Sequence, residues 1–423
     1  MVKSKLLTRK WLSFLVLMLG AGTIYKLYFM DGPFYVQMQE FMKLSNTQIG
    51  IIYSVAGCVS TFGFLVAAYI TDRFSKKKMI PLAMIGNGIA GILLSTFPPF
   101  SVTLILFCFF AFFADTLFWP TMLKTIRLIG NENEQGRMFG FLEGGRGLID
   151  TVVNFAALGI FVWLGSNADG FKGSIIFFSI LTIVIGIVSF FVLEDDEICR
   201  ISKSSEKNKL AFDGMKEAFK NKDIWLVAIN VFTVYAVYSG IKYFVPFLKS
   251  IYSIPIALAS AYGIVNSYCL KMVGGPIGGF ISDKVTHSAA KFIRVMFAMT
   301  AVALFGYTIL LHGSLSIYIA MGIALLISAF VFCMRAVYFA PMAEVKVPRR
   351  ITGAAMSLAS FIGYLPGAFF SIIYGSQLDA HPGIAGYKIV FIIMGCIAVA
   401  GIFISSILVR DANSKKDVIA EEL

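Results

Sequence analysis

Apolar residues come along this chain in runs of about twenty, separated by short polar stretches. A hydrocarbon layer of about 30 Å is crossed by roughly 20 apolar residues in helical form. Runs of that kind predict helices over 11–36, 47–71, 79–97, 101–126, 137–164 and 172–194. After a longer polar segment they resume over 223–248, 256–282, 291–311, 314–342, 350–377 and 386–409. The stretch from Met1 to Tyr25 looks like a secretory signal, with Lys3, Lys5, Arg9 and Lys10 ahead of its apolar part. Because so many spans follow, it is read as the first membrane helix.

Composition agrees with the pattern. Of 423 residues, 58% are hydrophobic and 14% charged, and Phe occurs 41 times. A soluble domain is nearer 45–50% apolar and about 25% charged. The net charge of +12 would suit nucleic acid only if the basic residues shared one soluble face. Here they lie in short loops, which excludes that partner. With the N-terminus inside, 27 of the 36 Lys and Arg fall in cytoplasmic segments and 4 in outer loops. That asymmetry predicts cytoplasmic N- and C-termini in a multi-pass cell membrane protein. The plain loops fit a bacterial inner membrane. Five of six cysteines lie in apolar runs, and the three histidines fall in loops. No metal site, cofactor or catalytic constellation is expected, and the chain is not read as an enzyme.

The polar segment Glu194–Lys222 divides the spans six and six. It predicts domains at 1–194 and 223–409, a cytoplasmic linker at 195–222 and a cytoplasmic tail at 410–423. The linker is read as solvated, with a short amphipathic helix on anionic lipid. The two halves repeat. Asp72 and Arg73 end the second span of the first half, and Asp283 and Lys284 recur 211 positions later. Phe118-Trp119-Pro120 in the fourth span returns as Phe339-Ala340-Pro341, 221 positions on. Two unrelated landmarks at nearly one offset indicate a duplicated six-helix unit.

On these residues the chain resembles a transporter of the major facilitator superfamily over nearly its whole length. The family's loop signature is Gly-x-x-x-Asp-Arg-x-Gly-x-Lys/Arg-Lys/Arg. Asp72, Arg73, Lys77 and Lys78 match it, with Ala68 and Ser75 in place of the glycines; the second copy keeps Gly279, Asp283 and Lys284. The resemblance implies an all-α membrane protein of twelve transmembrane helices, folded as two pseudo-symmetric six-helix bundles. It also implies that Asp72 and Arg73 form a latch between the halves, made in one access state and broken in the other. A carboxylate at an inner helix end can serve this way by holding the free N–H groups of a neighbouring helix. The plainer reading is a polar stop with cytoplasmic charge.

A finer similarity is to the organophosphate exchangers and related organic-anion carriers. It rests on Lys220-Asn221-Lys222-Asp223-Ile224-Trp225, Asn230-Val231-Phe232 and Gly240-Ile241, and on Trp119-Pro120 with Lys124. Those exchangers grip phosphate with an Arg in spans 1 and 7. Here the same neighbourhoods offer Lys26 and Lys242, about one helical turn away, with Tyr238 near the second Arg position.

Charges inside spans carry information, since a basic group at mid-membrane costs about 2.5–3.5 kcal/mol. Lys26, Asp115, Lys242 and Arg335 place one charge in each of spans 1, 4, 7 and 10, the helices that the resemblance implies line a central cavity. Tyr235, Tyr238, Ser239 and Lys242 form one polar stripe. Lys26 and Lys242 could instead snorkel to the interface. Asp115 is the expected partner of Arg335. In span 5, Glu143, Arg146 and Asp150 share a face, either as a self-neutralised ladder or as candidates for proton coupling through Glu143 or Asp150. Lys271 adds a charge without an assigned role. The spans sum to +2, which favours an anion.

The glycine-rich runs at Gly144-Gly145-Arg146-Gly147 and Gly274–Gly279 lack the setting of a phosphate loop and are read as close helix packing. The expectation is a secondary transporter of a small organic anion, such as a sugar phosphate, sugar acid or carboxylate. Lys26, Asp115, Tyr235, Tyr238, Lys242 and Arg335 would bind it, and protons or phosphate would be the coupled ion. Alternatives are a proton-coupled carrier of a neutral sugar or nucleoside, and a transporter-shaped solute sensor. A monomer in the lipid bilayer is expected.

Overall fold

A computed structural model describes residues 2–129, 135–194, 216–310, 316–348 and 351–421. Among them the secondary structure is helical throughout, without strands. Eleven helices are long and apolar enough to cross a membrane, and a shorter apolar helix, Lys10–Thr23, precedes them. Together these are the twelve spans expected from the apolar runs.

Two compact units form. The first comprises Met1–Ser202 with Ile254–Cys269, and the second Lys203–Ser253 with Leu270–Leu423. The N-terminal half of span 8 thus packs within the first unit. Of the linker, residues 195–215 lie outside the described residues, and 216–220 are helical.

Several spans depart from the regular helix. Span 1 is helical from Val2 to Thr23 and again from Tyr35 to Met42. Between them, turns replace the helix expected through residue 36. Asp31-Gly32-Pro33, a turn-forming sequence, closes this stretch, and Pro33 has no N–H to continue the ladder there. Span 7 breaks in the corresponding region. Its helix Lys222–Tyr238 gives way to a 3₁₀ turn, Ile241–Tyr243, before Phe244–Tyr252 resumes. Span 4 contains a π-helical segment, Phe112–Phe118, and span 8 contains two, Val265–Cys269 and Ser282–Thr286. Such wide turns turn side chains out of the α-helical register and concentrate at functional positions.

The glycine-rich run of span 8 does serve packing. A Cβ at Gly278 would lie 2.6 Å from the Cys333 carbonyl oxygen, so glycine lets spans 8 and 10 touch backbone to backbone. Apolar side chains cover the outside of the bundles. Trp163 and Tyr318, at span ends, are each 82% exposed, where amphipathic rings meet the membrane interface.

Candidate substrate and coupling sites

In the first unit, Lys26 sits in the turn region of span 1, where the broken helix lets its side chain run inward. It is 1% exposed and forms an ion pair with Asp150 of span 5. The ammonium also lies 4.2 Å from the centroid of the Tyr268 ring. An ion pair supplemented by a ring face is one of the few ways to hold a lysine in a dry interior. The three charges expected to neutralise one another along span 5 therefore divide. Arg146 donates to Glu143 at 2.9 Å on the exposed side, while Asp150 turns to Lys26. Arg146 also lies over the Trp119 ring at 4.9 Å.

Asp115 occupies the π-helical segment of span 4. Tyr25 donates to its Oδ1 at 2.9 Å and Ser60 to its Oδ2 at 2.5 Å. The Tyr28 hydroxyl meets Ser60 Oγ at 3.3 Å. Span 2 comes this close because residue 63 is glycine; a Cβ there would collide with Thr116. Within the first unit hydroxyl groups hold the Asp115 carboxylate, and within the second tyrosine rings hold the Arg335 guanidinium. The wide turn presents Asp115 toward spans 1 and 2, which regular helical spacing does not reveal.

In the second unit, Arg335 lies in the last turn of the span 10 helix, where exposed carbonyl ends favour a cation. Its guanidinium stacks 3.8 Å from the centroid of Tyr238 and 5.4 Å from that of Tyr235. Tyr235 packs on Tyr364 at 4.8 Å, and the Tyr364 and Tyr338 hydroxyls are hydrogen-bonded at 3.0 Å. Four tyrosines thus gather around one arginine. Among the described residues no carboxylate pairs with Arg335, and its Nε is buried without a hydrogen-bond partner. Lys242, at the break in span 7, donates to Ser371 Oγ of span 11 at 3.2 Å. Tyr243 donates to the Ser371 carbonyl at 3.0 Å. Lys271 lies in span 8 with intermediate exposure.

The gating motif is described in part. The side chains of Asp72 and Arg73 lie outside the described residues. Lys77 lies 5.6 Å from the Phe190 ring, and Lys78, Asp283 and Lys284 are exposed. A Cβ at Gly279 would meet open space. In the second unit, Glu344, beyond span 10, caps a helix start. Its carboxylate accepts from Ser288 Oγ at 2.8 Å, from the Ala289 N–H and from the Ala290 N–H at 3.3 Å, closing the N-terminus of span 9. Sequence reasoning missed Glu344, Ser60, Tyr364 and Ser371. Only Glu344 carried a signal, a carboxylate just past the Phe339-Ala340-Pro341 landmark.

Residues 5–371 match the family model of the Major Facilitator Superfamily. The chain belongs to that superfamily, and its family and fold are those of membrane transporters of small solutes. It is 45% identical over 416 residues to the inner membrane protein YihN of Escherichia coli K12, covering 98% of this chain and 99% of that one. It is 28% identical to the inner membrane protein YqcE of the same organism, over 96% of this chain and 97% of the relative. A glycerol-3-phosphate transporter of Bacillus subtilis is 23% identical, over 86% of this chain and 84% of that protein. A solved structure of a bacterial homologue of the human lysosomal transporter Spinster, inward-facing and unoccupied, superposes with a TM-score of 0.77. It is 13% identical and covers 96% of this chain and 98% of that one. The nucleoside transporter NupG gives 0.73 at 15% identity, over 95% of this chain and 99% of that chain. At these identities the two structures establish the fold alone.

Proposed function

We propose that the protein is a secondary active transporter of a small organic anion (a sugar phosphate, sugar acid or carboxylate) that works by alternating access between two six-helix halves. The observation that carries this reading is Arg335. A guanidinium within an apolar span, stacked on Tyr238 and Tyr235, with no carboxylate partner among the described residues, is a standing positive charge. Such a charge is costly in a membrane unless something neutralises it, and an anionic solute does so each time it binds. The surrounding tyrosines offer hydroxyl groups and ring faces to the body of that solute. Lys242 adds a second cation one helical turn beyond Tyr238. The similarity to glycerol-3-phosphate transporters supports the same class.

In this reading the halves are 1–194 and 223–409, and Asp72, Arg73 and the second-copy residues Asp283 and Lys284 serve as gating contacts. The asymmetry of 27 inner to 4 outer basic residues supports cytoplasmic termini. The test is thermal stabilisation of the purified protein against matched pairs of solutes: glycerol 3-phosphate with glycerol, glucose 6-phosphate with glucose, gluconate with sorbitol. Stabilisation by one anion and not its neutral partner, lost in Arg335→Gln, is expected. Stabilisation by a neutral sugar or nucleoside, retained in Arg335→Gln, contradicts the proposal.

A further inference from the structure

Asp115 is an acid within a membrane span, and among the described residues no basic group forms an ion pair with it. Among the described residues its two oxygens are met by hydroxyl groups alone, from Tyr25 of span 1 and Ser60 of span 2. The other carboxylates that the sequence offers for coupling are already engaged: Glu143 with Arg146, and Asp150 with Lys26. From these juxtapositions we infer that Asp115, with Ser60 and Tyr25, is a reversible proton-binding site, and the point at which a proton gradient acts on the carrier. The inference rests on the transporter reading but not on which solute is carried.

The surroundings suit a proton. Asp115 is the sixteenth residue of the 27-residue span Phe100–Ile126, well away from either end. It keeps partial exposure while facing spans 1 and 2. On the packed elements, the ionisable groups are few. Span 1 brings Tyr25 and Tyr28. Span 2 brings the Ser60 hydroxyl. From span 5, Arg146 lies over Trp119, whose ring meets that of Tyr25 edge-on at 6.1 Å, so it is the nearest basic group described around the Tyr25–Asp115 pair. Span 3 brings Lys76, Lys77 and Lys78 only at its first turn, and span 4 itself brings Lys124 nine residues on.

The hydrogen bonds form a short relay. With the carboxylate ionised, Tyr25 and Ser60 both direct their protons at it, and Tyr28 lies 3.3 Å behind Ser60. When a proton binds Oδ2, the new O–H donates to Ser60 Oγ, and the serine hydroxyl turns to the Tyr28 oxygen. Serine and tyrosine hydroxyls can each donate and accept, so Asp115 and Ser60 stay hydrogen-bonded in both states while the Tyr28 O–H is released from Ser60. A negative charge inside the span is removed in the same step. A sodium ion would instead require the Ser60 and Tyr25 oxygens to turn their lone pairs inward and give up both hydrogen bonds.

The test needs no transported solute, so its failure is separable from failure of the organic-anion reading. Infrared difference spectra of the reconstituted protein between acid and alkaline buffer would be compared in H₂O and D₂O. Expected is a carbonyl-stretch band of a protonated carboxyl group, sensitive to D₂O. It should be lost in Asp115→Asn, kept in Asp150→Asn, and moved to higher frequency in Ser60→Ala, which removes one hydrogen bond from the group. A band that survives Asp115→Asn, or one that Ser60→Ala does not move, overturns the inference. So does an Asp115 carboxylate signal that responds to sodium and not to pH.

Discussion

Lys26 in the turn region of span 1 is ion-paired with Asp150 of span 5, 124 positions along the chain, inside the first unit. The second unit repeats the arrangement with one change. Lys242, 216 positions after Lys26, sits at the break of span 7 and reaches Ser371 of span 11, 221 positions after Asp150. These offsets fall within the range of the sequence landmarks, 211 and 221. A duplicated lysine therefore meets a carboxylate in one copy and a hydroxyl in the other. In the reading proposed above, the first copy would serve as a structural pair and the second would act in the anion site.

Asp150→Asn should leave Lys26 as a buried, uncompensated ammonium. The expected cost is about 3–5 kcal/mol, seen as a lower unfolding temperature in detergent. The double variant Lys26→Met with Asp150→Leu removes both charges and should recover most of that loss. An unchanged unfolding temperature in Asp150→Asn would contradict a structural pair.

Ser371→Asp should give the second unit the pair that the first already has. A carboxylate placed beside Lys242 would compete with an anionic solute for the ammonium. Anion binding should weaken about tenfold, or about 1.4 kcal/mol, in titrations with the stabilising anion. Ser371→Ala, which adds no charge, should bind nearly as wild type.

Much of this was legible in the chain. Apolar runs gave all twelve spans, because membrane crossing demands length and apolarity that composition displays directly. The charges of spans 1, 4, 7 and 10 stood out for the same reason. Their partners did not. Asp115 turns toward Ser60 only because span 4 widens at Phe112–Phe118, and no simple helical period encodes a π-helical turn. Tyr364 reaches Tyr235 and Tyr338 across spans, which is tertiary information. The break in span 1 was readable at Asp31-Gly32-Pro33, but the long apolar run masked it.

Tyr238 should contribute to the site through its ring. Tyr238→Ala removes the face against which the Arg335 guanidinium rests, at 3.8 Å. Loss of about 0.5–2 kcal/mol in anion affinity is expected, with Tyr238→Phe close to wild type. Equal losses in both variants would assign the role to the hydroxyl.

Asp115→Asn should separate exchange from accumulation. Vesicles containing the variant should still exchange internal for external anion. They should no longer concentrate it under an imposed pH gradient, because the group that binds the proton is gone. Intact accumulation in the variant would place coupling elsewhere.

The most direct test of the anion site is counterflow in reconstituted vesicles. Labelled phosphate, glycerol 3-phosphate or gluconate would be trapped inside, and its release followed as single unlabelled anions are added outside. One anion class should trigger release and Arg335→Gln should abolish it, while neutral glycerol, glucose and nucleosides do nothing. Release driven by a neutral solute and unaffected by Arg335→Gln would contradict the anion site.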